Sequence, residues 1–310
     1  MIKAYNCVVV LGATASGKTK LAAALAAHFG AEIISADSRQ VYKHLDIGTG
    51  KDLNEYVVDG NPILFHAINC AEPGEQFYLH NFIEVLDEAF TAIQGRCKLP
   101  IIAGGTGLYL DALNKDFSLT AIPENHELRA ELSSKDKSEL LTLLNTYDSE
   151  LTRHIDRNSS KRIIRGIEIA SYLSQHQLPA KKTRPSIRPL YIGITTSAQD
   201  RTQLIQNRLQ HRLDNGLIEE AQTLLNMGLT HQRLQRLGLE YKYLSNYLQH
   251  LISRQELQEQ LATAILQYSK RQMTWFRKME KEGISIKWFE PQTPLNAVIE
   301  YIAPHFNSKI

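Results

Sequence analysis

Apolar residues fall along this chain in two alternating rhythms. Short runs at Asn6–Leu11, Glu32–Ala36, Pro100–Ala103 and Leu190–Thr195 carry Val, Ile and Leu with little polar interruption. Such runs read as strands buried on both faces. Between them, apolar positions recur at three- and four-residue steps. Lys20–Phe29 is rich in Ala and Leu, and Phe77–Ile93 sets Phe82, Val85, Leu86, Ala89, Phe90 and Ile93 on one helical face. Strand alternating with helix predicts an α/β fold, a parallel sheet flanked by helices on both sides. From Leu113 to Pro189 the rhythm is wholly helical, over Glu124–Leu132, Lys137–Asn145 and Ser160–Leu173, with Lys181-Lys182-Thr183-Arg184-Pro185 as the return loop. This predicts a helical insertion domain, residues 115–189, set within a core made of residues 1–114 and 190–310. Beyond the fourth strand the spacing predicts long helices over about 200–226, 237–250 and 254–281, then an edge strand at Ile284–Phe289.

Composition excludes several classes. With 310 residues, 43% hydrophobic and 22% charged, the chain is neither disordered nor fibrous. No apolar run approaches the roughly 20 residues of a membrane span, so no membrane partner is expected and a cytoplasmic setting is. Cys7, Cys70 and Cys97 are odd in number and widely spaced, which argues against a disulfide framework or a zinc site. His66, His80 and His154 likewise show no metal-ligand spacing. The net charge of +2 hides an uneven distribution. Residues 1–149 hold 12 Lys/Arg against 19 Asp/Glu, whereas residues 150–189 hold 9 against 3. The basic excess in the insertion fits contact with a polyanion or a solvated surface.

The segment Gly12-Ala13-Thr14-Ala15-Ser16-Gly17-Lys18-Thr19 matches G-x-x-x-x-G-K-[ST] between a strand and a helix. Its glycines let backbone N–H groups turn inward around a diphosphate at a helix N-terminus. Lys18 adds a cation, and the Thr19 hydroxyl is placed to ligand Mg²⁺ on the same phosphates. The core is therefore expected to be a P-loop NTPase-like parallel sheet. Motor and switch NTPases hold their metal with an acid ending a later strand, but the runs ending at Thr106 and Thr195 carry none. Asp37, following Glu32–Ala36, stands at a strand's carboxyl end, where open α/β sheets bind ligands. It can take a proton from an acceptor nucleophile, or serve as a turn or helix-capping aspartate. The pattern favours a group-transfer enzyme.

Five segments together resemble the tRNA dimethylallyltransferase family. They are the P-loop with Thr14-Ala15-Ser16, Asp37-Ser38-Arg39-Gln40-Val41-Tyr42 with Asp46-Ile47-Gly48-Thr49, and Gly104-Gly105-Thr106-Gly107-Leu108-Tyr109. Lys161-Arg162-Ile163-Ile164-Arg165-Gly166-Ile167-Glu168 and Lys270-Arg271-Gln272-Met273-Thr274-Trp275-Phe276-Arg277 complete the set. The resemblance implies transfer of a dimethylallyl group from dimethylallyl diphosphate to N6 of the adenosine 3′-adjacent to the anticodon. It implies Asp37, Thr106 and Arg212 as catalytic residues. Gly12, Thr14, Ala15, Ser16, Gly17, Lys18 and Thr19 would bind diphosphate, with Mg²⁺ on Thr19. Ser38, Arg39, Gln40, Arg129, Lys161, Arg162 and Arg165 would face the tRNA anticodon stem-loop. Bland roles stand beside these: Thr106 as the cap of the helix containing Leu108–Leu113, and Arg208 and Arg212 as surface helix charges. Trp275 and Phe276 would pack inward. The chain departs from the family pattern at Gly50-Lys51-Asp52, within Asn69–Phe82 and at Lys161, which bears on RNA target choice more than on the chemistry.

A monomer is expected. The alternatives are an isopentenyltransferase acting on free adenine nucleotide, a P-loop metabolite kinase with ATP as donor, and a non-catalytic nucleic-acid-binding ATPase. Incorporation of labelled donor into tRNA, into AMP, or phosphorylation from ATP separates transfer to tRNA from the first two of these.

Overall fold

A computed structural model describes residues 5–152, 155–179 and 183–306. His154, Lys181 and Lys182 lie outside the described residues. The chain forms two compact units, Met1–Lys115 with Pro185–Ile310, and Asp116–Arg184.

The first unit runs β1 (Cys7–Gly12), α1 (Lys18–Phe29), β2 (Glu32–Ala36), a small antiparallel pair β3 (Val57–Val58) and β4 (Asn61–Pro62), then β5 (Phe65–His66), α2 (Leu79–Gly95), β6 (Pro100–Gly104) and α3 (Gly107–Asp111). The second unit holds α4 (His126–Leu132), α5 (Lys137–Leu144), α6 (Ser149–Thr152) and α7 (Ser160–Gln175). The first unit resumes with β7 (Pro189–Ile194), α8 (Ala198–Asp214), α9 (Leu217–Asn226), α10 (His231–Leu237), α11 (Leu239–Leu248), α12 (Arg254–Lys281), β8 (Ile286–Phe289) and α13 (Leu295–Ile302).

Six strands form a parallel sheet in the order β5-β2-β6-β1-β7-β8. The all-apolar reading of β1 is explained by its two faces. Cys7, Val9 and Leu11 join α2, α3 and α12 through Phe82, Leu86, Phe90, Leu110, Phe276 and Met279. Val8 and Val10 face α1 and α13 through Ala22, Leu25, Ala26, Val298 and Ile302. A parallel sheet covered on both sides leaves no polar register, hence the continuous hydrophobic runs.

Register decides what stands at the carboxyl edge. Leu11 and Ala36 both pair with Gly104, so Gly12, Asp37 and Gly105 emerge abreast where the ladders end. Gly104 must be glycine, because a Cβ there would meet the Ala36 carbonyl oxygen at 2.2 Å.

Two expectations needed correction. The single helix over 200–226 is broken, since α8 stops at Asp214 and Gly216, at φ 97°, opens α9. Asn-Gly breaks a helical run that apolar spacing alone carries through. The sequence reading also missed α10, which precedes the helix expected over 237–250. These helices pack Leu209, Leu213, Leu217, Leu224, Leu237, Tyr241 and Leu261 around Val41, Tyr42 and Leu45 of the segment after β2. The second unit has its own core of Leu132, Leu140, Leu144, Ile163, Ile164 and Ile167. Among the described residues no helix is long and apolar enough to cross a membrane.

Candidate active site

The loop from β1 to α1 turns at Ala15 and Gly17, both left-handed at φ 62° and 83°. Glycine carries that conformation at no steric cost, whereas Ala15 is strained, as residues of ligand clamps often are. Gly12 is dictated by packing, because a Cβ would meet Ser16 Oγ at 2.5 Å. The Ser16 hydroxyl is buried without a hydrogen-bond partner. Burial pushes the Lys18 ammonium below its ordinary pKa, with the charge of Asp37 opposing. A half-buried loop with an unsatisfied buried hydroxyl and a desolvated cation is organised for an anion.

Asp37 begins the turn after β2. Its Oδ1 accepts from the Arg39 N–H at 2.9 Å, so the turn-aspartate reading holds for that oxygen. The neighbouring Ser38 N–H donates to Thr106 Oγ1 at 3.0 Å, and the Thr106 N–H donates to the Ala36 carbonyl at 3.2 Å. Thr106 occupies the N-cap position of α3, yet its side chain makes no capping bond. Tyr268 of α12 also reaches Thr106, and burial raises its phenol to about 12 despite that contact.

Two cavities open at this edge. The first, about 340 Å³, is lined by Thr14–Thr19, Asp37, Gln40, Thr49, Gly50, Asp52, Glu55 and Arg208. The second, about 490 Å³, is lined by Asp37, Ser38, Arg39, Thr106, Leu108, Arg212, Glu240, Tyr268, Arg271 and Trp275. Thr14, Asp37, Thr49 and Arg208 line both. Asp37 therefore stands where a phosphate-sized space meets a wider one walled by charged and polar groups together with Leu108, Tyr268 and Trp275.

Cations converge from α8. Arg208 donates to Thr14 Oγ1 at 2.5 Å, and its pKa falls to about 10 through burial, then the charge of Arg212. Arg212 is 7% exposed, its Nη2 makes no hydrogen bond, and it lies 3.5 Å from Asp52. Neither arginine is a surface helix charge. Gly50, at φ 61°, lets the Arg212 guanidinium lie against the backbone, where a Cβ would meet Nη2 at 2.1 Å. Burial raises the pKa of both Glu55 and Glu240 in these walls.

The Thr19 hydroxyl and the carboxylates of Asp37, Asp52 and Glu55 share the first cavity. These are hard oxygen donors of the kind Mg²⁺ takes, along with phosphate oxygens and water. Among the described residues no cluster of three or more His, Cys, Asp or Glu could hold a metal by itself. An ion here would need the oxygens of a bound diphosphate, which is how Mg²⁺ is commonly held.

Three residues that carry no assigned role in the sequence organise the loops around this edge. Glu220, at the start of α9, accepts from the N–H groups of Asp46 and Ile47 at 2.7 Å and of Gly48 at 2.9 Å, and from Tyr241 Oη at 2.6 Å. Lys51 is fully buried and donates to the Tyr42 carbonyl, Asp46 and Asn69. Gln272 accepts from the Thr14 N–H at 2.8 Å and donates to the Gly105 carbonyl at 2.9 Å. Lys51 stands in the Gly50-Lys51-Asp52 departure and Gln272 in the Lys270–Arg277 segment, but no local pattern marks the partners that any of the three takes.

The RNA-facing candidates divide. Gln40 bonds Ser35 and the Gly50 carbonyl, and Arg39 the Arg236 carbonyl. In the second unit, Arg129 sits between Glu124 and Glu168, each at 2.6 Å. Arg165 donates to the carbonyls of Ile122, Pro123 and Leu119. Lys161 is exposed, and Arg162 is 68% exposed with one ion pair to Asp156. Phe276 is buried and Trp275 half-buried against Gly107, both packed inward. His66 bonds Glu32, and His80 lies 3.7 Å from Glu84.

A family model described as IPP transferase matches residues 40–279, and one described as isopentenyl transferase matches residues 5–66. A Phocaeicola vulgatus protein named tRNA dimethylallyltransferase 2 is 43% identical over 305 residues, 98% of this chain and 99% of that protein. A Treponema denticola protein of the same name is 46% identical over 288 residues, covering 92% and 95%. The crystal structure of a tRNA isopentenylpyrophosphate transferase from Bacillus halodurans is 29% identical, with a TM-score of 0.69 over 97% of this chain and 96% of that one. A eukaryotic dimethylallyltransferase shares the fold, with a TM-score of 0.77 at 24% identity, over 96% of this chain and 78% of that one.

Proposed function

This chain belongs to the IPP transferase family, and from that premise we propose that it transfers the dimethylallyl group of dimethylallyl diphosphate to N6 of the adenosine 3′-adjacent to a tRNA anticodon. The observation that carries this reading is the position of Asp37, whose carboxylate borders both the P-loop cavity and the wider one beside it.

In this reaction the N6 lone pair attacks C1 of the allyl group. The C1–O bond breaks, its electron pair leaves with the diphosphate, and an N6 proton passes to Asp37. The P-loop thus grips a leaving group rather than a phosphate in transfer. Lys18, Arg208, Arg212 and the loop amides offset the negative charge that grows on the departing oxygens. Mg²⁺, held by the Thr19 hydroxyl and the diphosphate, would supply further charge neutralisation. An exocyclic adenine amine is a weak nucleophile because its lone pair is delocalised into the ring. Proton removal by a positioned base relieves that weakness, a contribution typically of about 10²–10⁴-fold.

An adenine stacked in an anticodon loop cannot reach Asp37. It has to turn out of the stack into the wider cavity, at a cost of about a few kcal/mol that phosphate contacts offset. Among the described residues, Lys161 and Arg162 in the insertion and Arg271 at the cavity wall are exposed cations that can supply such contacts. The working enzyme is read as a cytosolic monomer. Donor labelled in the prenyl group should appear in tRNA bearing adenosine 3′ of the anticodon. Label on free AMP instead of tRNA, or phosphate transfer from ATP, would overturn the proposal.

A further inference from the structure

The backbone ladders that align β1, β6 and β2 end at Gly12, Gly104 and Ala36. The chemistry lies one or two residues past that point, in loops that the sheet no longer holds together. We propose that Gln272 is a positioning residue that ties these loops, setting the separation between the departing diphosphate and the attacking amine. The inference rests on the transfer reaction proposed above.

Gln272 is 4% exposed, and its two amide atoms serve two different loops. Oε1 accepts from Thr14 of the P-loop, and Nε2 donates to the Gly105 carbonyl immediately before Thr106. The orientation follows from the partners, since a backbone N–H must face the side-chain oxygen and a backbone carbonyl must face the nitrogen. A carboxylate could only accept, an ammonium could only donate, and an asparagine is one methylene short of the same span. The fit is close: a Cβ on Gly105 would meet Nε2 at 2.3 Å.

Neighbours on α12 extend the same contact. Tyr268, one turn earlier, reaches Thr106, and Trp275, almost one turn later, packs its indole against Gly107. Positions i−4, i and i+3 share one helix face. The helix that carries them is 28 residues long and anchored through Leu257 and Leu261 at one end and Phe276 and Met279 at the other. It therefore spans the carboxyl edge as a rigid ruler, with Gln272 at the P-loop mark.

The effect should fall on the chemical step rather than on binding. Gln272→Met keeps length and volume but removes both hydrogen bonds. Its kcat for prenyl transfer to tRNA should fall by on the order of 10²-fold, as loss of alignment by about 1 Å can produce. Dissociation constants for dimethylallyl diphosphate and for the tRNA should stay unchanged. Gln272→Glu supplies a second readout that a purely structural role would not move. Protonated, that carboxyl can accept from Thr14 and donate to Gly105, whereas ionised it can only accept. Its kcat relative to wild type should therefore rise as pH falls between about 8.5 and 6, since burial raises a carboxyl pKa. Undiminished kcat in Gln272→Met, or a pH-independent ratio in Gln272→Glu, would overturn the proposal, and the second measurement decides if the first variant does not fold. Wild-type enzyme that leaves tRNA unlabelled would instead sink the reaction assignment itself.

Discussion

Thr106 Oγ1 accepts the backbone N–H of Ser38 at 3.0 Å, so the loop after β6 fixes the turn that presents Asp37. The two residues are 68 positions apart and meet because β6 inserts between β2 and β1. Thr106→Val, isosteric but lacking the acceptor, should leave donor affinity intact while lowering kcat. Loss of one such hydrogen bond costs about 1 kcal/mol, so a roughly fivefold drop is expected, and an unchanged kcat would show that the turn holds itself.

Asp37→Asn retains an oxygen for the Arg39 N–H, so the turn survives while the base is lost. Single-turnover transfer should slow by about 10²–10⁴-fold, with donor binding by calorimetry preserved. Parallel loss of donor binding and thermal stability would make Asp37 a structural residue.

Glu220 holds three successive backbone amides of the loop leading to Thr49 and Gly50. Three N–H groups around one carboxylate form a nest that a neutral amide cannot fill, because its NH₂ would face another donor. Glu220→Gln should lower unfolding free energy by roughly 2–3 kcal/mol and raise KM for the diphosphate donor. A denaturation midpoint equal to that of the wild type would refute the clamp.

RNA binding should weaken with salt, by about 0.7–0.9 in log–log slope for each phosphate contacted. Lys161→Ala with Arg162→Ala should flatten that slope, because both cations face solvent. Arg129→Ala should leave the slope alone and destabilise the insertion by about 3 kcal/mol, since it strips Glu168, 1% exposed, of its closest charge partner. The reverse pattern would move the RNA surface elsewhere.

Burial of Glu32 opposes its ionisation, yet hydrogen bonds from Arg96, His66 and Lys98 prevail and hold the carboxyl at about 2, below the ordinary 4.5. A depressed folded-state pKa stabilises the protein fully above the unfolded value, and that stability is lost as pH falls toward the folded one. Thermal midpoints should therefore decline between pH 4.5 and about 2 more steeply in wild type than in Glu32→Gln. Parallel curves would remove Glu32 from the acid response.

Local rules acting on local residues made much of this protein legible from its sequence. The P-loop between strand and helix, the buried strands at Glu32–Ala36 and Pro100–Ala103, and the long helix ending at Lys281 all follow from apolar spacing and glycine placement. Asp37 could be singled out because it stands at a strand's carboxyl end beside the P-loop, where open α/β sheets bind ligands. Tertiary structure alone decided which loops meet, because strand order is set by how helices cover a sheet, not by any segment's composition. It likewise decided which charges are spent. Arg129 and Arg162 look alike in sequence, but one is locked between two glutamates and the other faces water. Gln272 and Glu220 gain their roles from partners far along the chain, and a long-range hydrogen bond leaves no periodic trace in the residues that make it.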